Sequence, residues 1–275
     1  MSLVSTRVRL GGAAARAALA AALALGALSA QARPAKPPQP PIWGGPMVLS
    51  VAAPRAEDAL IRSRLIAPGD AGQLRVQVRA LAAEEPLGTS EVAPDALVRI
   101  RGLSAGTWAI EAATQRDGVL SRWSDPLVVE VQAVGEGVLT VLQGTDAGLA
   151  PGPCTEANGQ PWVRALMGEA TVKCPGEAPS VHVKVVEATA TLAAPANPPR
   201  GKPTSLRFTL TGGPVPQVLD LVVAGRAWPL RLSAQGWEAV VTLPAGFQHA
   251  ELRDPDQPDG PPVAVVTLPG AGGAK

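Results

Sequence analysis

The side chains able to do chemistry are few and scattered. Only two histidines occur, His182 and His249, and each falls in a run of alternating polar and apolar residues. Such a run reads as a β-strand whose outward side chains meet water. Catalysis needs a nucleophile held against a base, a pair of unlike carboxyls, or a metal cluster. The sequence contains no Gly-x-Ser-x-Gly elbow, no His-Glu-x-x-His helix and no phosphate-cradling glycine loop. The glycine-rich tail GAGGAK (270–275) lacks both a preceding strand and a following helix. These observations lead to the expectation of a protein that is not an enzyme and uses no cofactor or metal.

Three other groups carry chemical potential. The loop Asp254-Pro-Asp-Gln-Pro-Asp-Gly260 gathers oxygen ligands of the kind a hard cation takes, but its spacing departs from a calcium loop and no Glu closes it. A solvated hairpin connection is the expectation there. Cys154 and Cys174 are the sole cysteine pair, each beside turn residues, with no Cys-x-x-Cys or Cys/His cluster. In an oxidising compartment such a pair forms a disulfide; closing a loop of about 20 residues stabilises by roughly 3 kcal/mol in the chain-entropy model. Finally, six Trp stand in a chain with two Phe and no Tyr. Exposed indoles stack on the apolar faces of sugars, and Trp228 and Trp237 are the candidates for ligand stacking; both could equally fill a core. Trp43, in a Pro-rich stretch, has little local structure to bury it and could pack on a neighbouring domain or a partner.

The first thirty residues predict the compartment. Arg7, Arg9 and Arg16 form a basic region, residues 17–28 are an Ala/Leu run, and small residues follow up to Ala30 or Ala32. That is the order of a secretory signal peptide, cleaved near Ala30 or Ala32. The run of about 12 apolar residues is short of the roughly 20 needed to span a bilayer. No later stretch is long and apolar enough to be a transmembrane helix. Loss of the three arginines leaves 21 basic residues against 23 acidic ones, a net charge of −2. Nucleic acid therefore has no electrostatic foothold. Abundant Ala and Pro, and Arg over Lys, fit the codon bias of a GC-rich bacterial genome.

Short strands with period-2 alternation and Gly/Pro/Asp turns run throughout. Residues 31–46 carry six prolines in 33–46 and read as an extended spacer. A second Pro-rich linker is expected at 191–203 and a flexible tail at 270–275. The domains so delimited are 47–133, 136–190 and 204–269. Residues 57–66 fit either a strand or one or two helical turns. The expected fold class is all-β: tandem small β-sandwich modules joined by Pro-rich linkers.

Residues 103–131, LSAGTWAIEAATQRDGVLSRWSDPLVVEV, resemble the last two strands of a fibronectin type III domain. A Leu-x-x-Gly-Thr turn leads to Trp108, which stands where that family carries its corner tyrosine. A hairpin at Asp117-Gly118 and the Ser-Arg-Trp-Ser stretch then precede the closing strand. The resemblance extends over 47–133 and implies a sandwich that holds, spaces and binds, with residues 57–66 as its second strand. Residues 136–190 are loosely similar to PEGA-type β-modules. In 200–269, Val223, Gly225 and Trp228, then Gly236, Trp237, Leu243, Pro244 and Gly246, resemble early-set Ig-like modules, some of which bind glycogen. The expected function is non-catalytic: protein–protein contact or assembly with envelope or surface proteins, in the periplasm or at the cell surface. The alternative is a carbohydrate-binding accessory protein that holds polysaccharide through Trp228 and Trp237.

Overall fold

The computed structural model describes residues 36–69, 72–135, 137–145, 155–156, 159, 168–173, 180–195, 198–246 and 249–268. The chain separates into two units, Met1–Pro37 and Pro38–Lys275. Of the first, only Lys36 and Pro37 are described, and neither is in regular structure. The signal-peptide segment, both cysteines of the expected disulfide and the 270–275 tail lie outside the described residues. Within the second unit the chain is all-β, apart from one 3-10 turn among the described residues.

The first sandwich uses β1 (Ile42–Trp43), β2 (Val48–Ala53), β3 (Ile61–Ile66), β4 (Gln73–Ala80), β5 (Gly88–Val92), β6 (Leu97–Ile100), β7 (Gly106–Arg116), β8 (Val119–Leu120) and β9 (Leu127–Ala133). One sheet has the order β1-β3-β6; the other runs β2-β9-β7-β4-β5, with β8 hairpinned onto β7. With β2 and β8 set aside, this is the fibronectin type III arrangement of three strands facing four. Its first strand is split, so that β1 pairs with β3 and β2 crosses to lie parallel to β9. Alternation decides what goes inside: Ile61 and Leu65, Leu74 and Val76, Ile110 and Ala112, Val129 and Val131 all join one core.

Residues 57–66 resolve into a short turn, Ala56–Asp58, followed by β3. The turn is held by Arg55, whose guanidinium meets Asp58 at 2.7 Å. Trp43 also differs from expectation. It is 4% exposed, fills the first core, and donates its Nε1–H to the Asp125 carbonyl at 3.2 Å. The end of the Pro-rich stretch is therefore the sandwich's first strand rather than spacer.

Trp108 performs the corner function with an indole. Its Nε1–H reaches back to the Ser104 carbonyl at 3.0 Å, as the corner tyrosine hydroxyl of such sandwiches bonds a few residues upstream. The Ser-Arg-Trp-Ser stretch has an equally local role. Ser121 Oγ accepts the Thr114 N–H and Ser124 Oγ accepts the Ala112 N–H. The two hydroxyls continue the ladder along β7 where the chain between β8 and β9 is not a strand.

The second module is one sheet of β10 (Val138–Leu142), β11 (Thr155–Glu156), β12 (Gly168–Lys173) and β13 (Val181–Val186), in the order β10-β13-β12-β11. β10 lies parallel to β13. Leu139, Val141, Val172, Val181, Val183 and Val185 bury one face. The other face is polar: His182 pairs with Thr171 at 3.0 Å and Lys184 with Glu169 at 3.7 Å.

The third module is a second sandwich. It is built from β14 (Thr189–Ala194), β15 (Pro203–Thr211), β16 (Asp220–Val223), β17 (Arg226–Pro229), β18 (Arg231–Ser233), β19 (Gly236–Thr242), β20 (His249–Arg253) and β21 (Ala264–Thr267). The sheets are β14-β15-β19-β18 and β17-β16-β20-β21. These orders correspond to the A-B-E-D and C′-C-F-G sheets of an Ig-like sandwich. Phe208, Leu221, Trp237 and Leu252 lie at its centre, each 2% exposed or less. β14 runs into the segment read as a linker from residue 191, as far as Ala194. Its pairing with β15 makes it the opening strand of this sandwich.

Candidate interaction site at the module junction

Three arginines stand on the outward face of the β3–β6 pair: Arg62 and Arg64 two residues apart on β3, and Arg99 on β6 directly opposite Arg62. Like charges placed across a ladder repel, so this face needs anions. The third module supplies them. Asp254 grips Arg62 with both oxygens, at 2.6 and 2.7 Å. Asp256 lies between the two facing guanidiniums, accepting from Arg62 at 3.1 Å and also pairing with Arg99. Arg64 meets Asp220 at 2.8 Å. The Arg62 and Asp254 side chains are 2% and 0% exposed, so this pair is fully removed from water.

Backbone groups complete the junction. The Gln217 amide clasps β3, taking the Arg62 N–H at 2.6 Å on its oxygen and donating to the Leu60 carbonyl at 3.1 Å. Gly44 donates to Arg64 and accepts from the Leu232 N–H at 2.7 Å, tying the strand switch between β1 and β2 to the third module. Gly45 sits so close that an added Cβ would lie 2.5 Å from the Gln217 carbonyl. At the other boundary Gly144 (φ +74°) lies equally tightly against the Pro261 carbonyl. Bidentate ion pairs have a fixed geometry, and the junction thereby sets the angle between the sandwiches.

Ionisation follows from these contacts. Burial opposes the charge on Asp256, but hydrogen bonds from Arg99 and Arg62 outweigh it and hold the carboxyl below its ordinary range. Asp220 goes the other way: burial pushes its carboxyl up, and Arg64 offsets that only in part. The hydrogen bond to Asp256 raises Arg99 further.

Beside this junction lies a cleft of about 610 Å³ where the three modules meet. Its walls are β2 and β10, and the loop 214–217 together with Arg62 completes it. Val48, Val138 and Val215 open into it while remaining 72%, 62% and 60% exposed. The arrangement can bind and orient; the carboxylates nearest the cleft are committed to arginines.

The residues singled out from the sequence fall elsewhere. Asp254 and Asp256, considered for calcium, face guanidiniums instead. Trp237 is 2% exposed and belongs to the third core, so its ring face is not offered to a ligand. Trp228 is half-buried against that core, with the Arg226 guanidinium 5.0 Å from its ring centroid. The structure does not bring Trp228 and Trp237 together as an exposed stacking platform. His182 and His249 are exposed and far apart in the chain, on the second and third modules. The arginines, Gln217, Asp220 and the valine cleft were not singled out. Their only signal was three arginines alternating on short strands, with an Asp-rich loop some 190 residues away.

No helix among the described residues is long and apolar enough to cross a membrane. No protein-family model matches the sequence, and no curated protein matches it. Solved structures similar to the chain include the fibronectin(III)-like modules of Clostridium thermocellum CbhA, 14% identical, covering 84% of this chain and 95% of that one at TM-score 0.25. The BSP domain of a biofilm associated protein is 14% identical, over 74% of this chain and 29% of that one, at TM-score 0.28. A tetra-tandem repeat from the extending region of a large adhesion protein is 14% identical, over 80% and 74%, at TM-score 0.19. The sandwich architecture of the first and third modules is carried by their own strand orders.

Proposed function

We propose that this chain is a non-catalytic, exported protein of the bacterial envelope or surface, serving protein–protein contact or assembly. The observation that supports this reading is the junction. A guanidinium and one carboxylate, Arg62 and Asp254, are buried between two sandwiches, at a cost in desolvation that well-packed apolar residues would avoid. What the polar junction provides is one fixed orientation, which suits a part that presents surfaces at a set spacing. The signal-peptide pattern and the Cys154–Cys174 pair support export. Polysaccharide binding through Trp228 and Trp237 has less support, since one ring is in the core and the other is covered by Arg226.

Crosslinking affinity capture from the envelope of the producing cell, read by mass spectrometry, tests this. Stoichiometric recovery of one or two proteins, reduced in an Arg62→Ala variant that loosens the junction, is the expected result. Recovery of the chain alone, or with polysaccharide, would overturn it.

A further inference from the structure

We infer that the cleft between β2 and β10 receives one extended, uncharged segment of a partner protein as an added β-strand. This inference rests on the assembly reading and specifies its contact. β2 is an edge strand of its sheet, as β10 is of its own. The Val128 and Val134 N–H groups bond to the Met47 and Ala53 carbonyls. That parity turns the backbone groups of Leu49 and Val51 towards β9, and those of Val48, Ser50 and Ala52 away from it, into the cleft. On β10, Gln143 bonds to Val186, so by the same parity Val138, Thr140 and Leu142 turn their backbone groups away from β13. Only a polypeptide backbone offers donors and acceptors in the repeat that such edges require.

The edges are also unguarded. Sandwich edges are normally blunted by charge or proline, as they are here in β5 by Glu91, in β17 by Arg226 and Pro229, and in β18 by Arg231. In the third module the uncharged β14 and β21 lie against each other. β2 (VLSVAA) and β10 (VLTVL) have neither charge nor proline. Strand spacing of about 4.8 Å, rise of about 3.3 Å and sheet spacing of about 10 Å give one strand residue about 160 Å³. The cleft of about 610 Å³ thus holds about four residues. Its apolar walls are Val48, Val138 and Val215. The charged group it contains, Arg62, is paired with Asp254. A charged segment would find no counter-ion there; an alternating Val/Thr segment fits.

The probe is an acetylated, amidated peptide with a Thr-Val-Thr-Val-Thr centre between terminal lysines, titrated into the purified chain. Hydrogen-exchange protection confined to 48–52 and 138–142 is expected on binding. Ser50→Pro removes an outward N–H without touching the β9 ladder, a position where edge strands tolerate proline. Val48→Lys places a gatekeeper charge at an exposed site and covers the case in which the proline variant fails to fold. Each is expected to weaken binding by at least about tenfold, equivalent to about 1.4 kcal/mol. N-methylation of alternate peptide residues is expected to do the same. Absence of saturable binding overturns the inference, as does binding indifferent to Val48→Lys and to N-methylation. Self-association that Val48→Lys abolishes would overturn it in favour of a second copy. If envelope capture recovers partners whose crosslinks avoid both strands, the cleft assignment fails and the assembly reading stands. If the peptide binds as described but capture recovers no protein, the assembly reading fails instead.

Discussion

The first and third modules share one plan, two sheets around an apolar centre in Ig-like order, yet they use their borders differently. In the third, the opening strand β14 stays with β15, a D-type strand (β18) widens that sheet, and the outer edges are charged or face each other. In the first, the opening strand breaks at Gly44-Gly45, half staying with β3 and half crossing to β9. The broken strand does two things at once. It leaves the Arg62 and Leu60 backbone open for Gln217 to clasp, and it exposes an apolar edge along β2. The split first strand is thus what opens the first sandwich to the third.

The largest expected effect breaks the joint itself. Arg62→Ala leaves Asp254 buried without its guanidinium and is expected to cost about 3–5 kcal/mol, measured by denaturant unfolding. Arg62→Met with Asp254→Leu should recover most of that loss, because neither charge is then stranded. If the single variant is neutral, the two sandwiches are not coupled through this pair.

Gly45→Ala comes next. Its Cβ would meet the Gln217 carbonyl at 2.5 Å, and overpacking of this kind costs about 1–3 kcal/mol. Small-angle scattering should show the angle between modules relaxing, while near-ultraviolet signals of the separate cores persist. Trp108→Phe probes the first module alone. It removes one hydrogen bond to Ser104, and a loss of about 1 kcal/mol should appear without change at the junction.

Ala224 occupies a left-handed position (φ +55°) before Gly225 in the β16–β17 turn, where the first module has Asp117-Gly118. Ala224→Asn supplies the residue that type I′ hairpins favour and should stabilise by up to about 1 kcal/mol. A thermal melt checks this, and destabilisation would contradict the turn assignment.

The smallest net effect is with pH, because two carboxyls at the joint oppose each other. Asp256 titrates below its ordinary 3.8, so its contribution is present above that value and is lost as pH falls through the depressed one. Asp220 titrates above 3.8, so stability falls as pH rises from 3.8 through the raised value. The two windows adjoin at 3.8, so acidification should first stabilise the wild type slightly and then, below 3.8, destabilise it. Asp220→Asn should remove the first limb and Asp256→Asn the second, read as unfolding midpoints between about pH 2 and 7.

Strands with strong alternation were legible: Gln73–Ala80, Val181–Val186 and Gly236–Thr242 coincide with runs apparent in the sequence. So was the Asp117-Gly118 hairpin. The strands that went unread are the border ones. Ile42–Trp43 is too short to show a period, and Thr189–Ala194 is small-residue sequence beside prolines. Gly88–Val92 is almost wholly exposed, so it carries no apolar face to detect. Trp43 and Trp237 were ambiguous for a related reason: an indole serves a core or a ligand equally well, and only its surroundings decide.

From its residues alone the chain determines an all-β architecture, because alternation with period two and turn residues at short intervals leave no other way to bury its Val, Leu and Ile. It also determines the corner at Trp108 and the serines that stitch β7, since these contacts are local. Tertiary structure alone decided the joint and the cleft. Arg62 and Asp254 are separated by 192 positions, and nothing in the sequence around either one encodes the other. Which carboxylate answers which arginine, and which edge stays open, follow from how the three modules come to rest against one another.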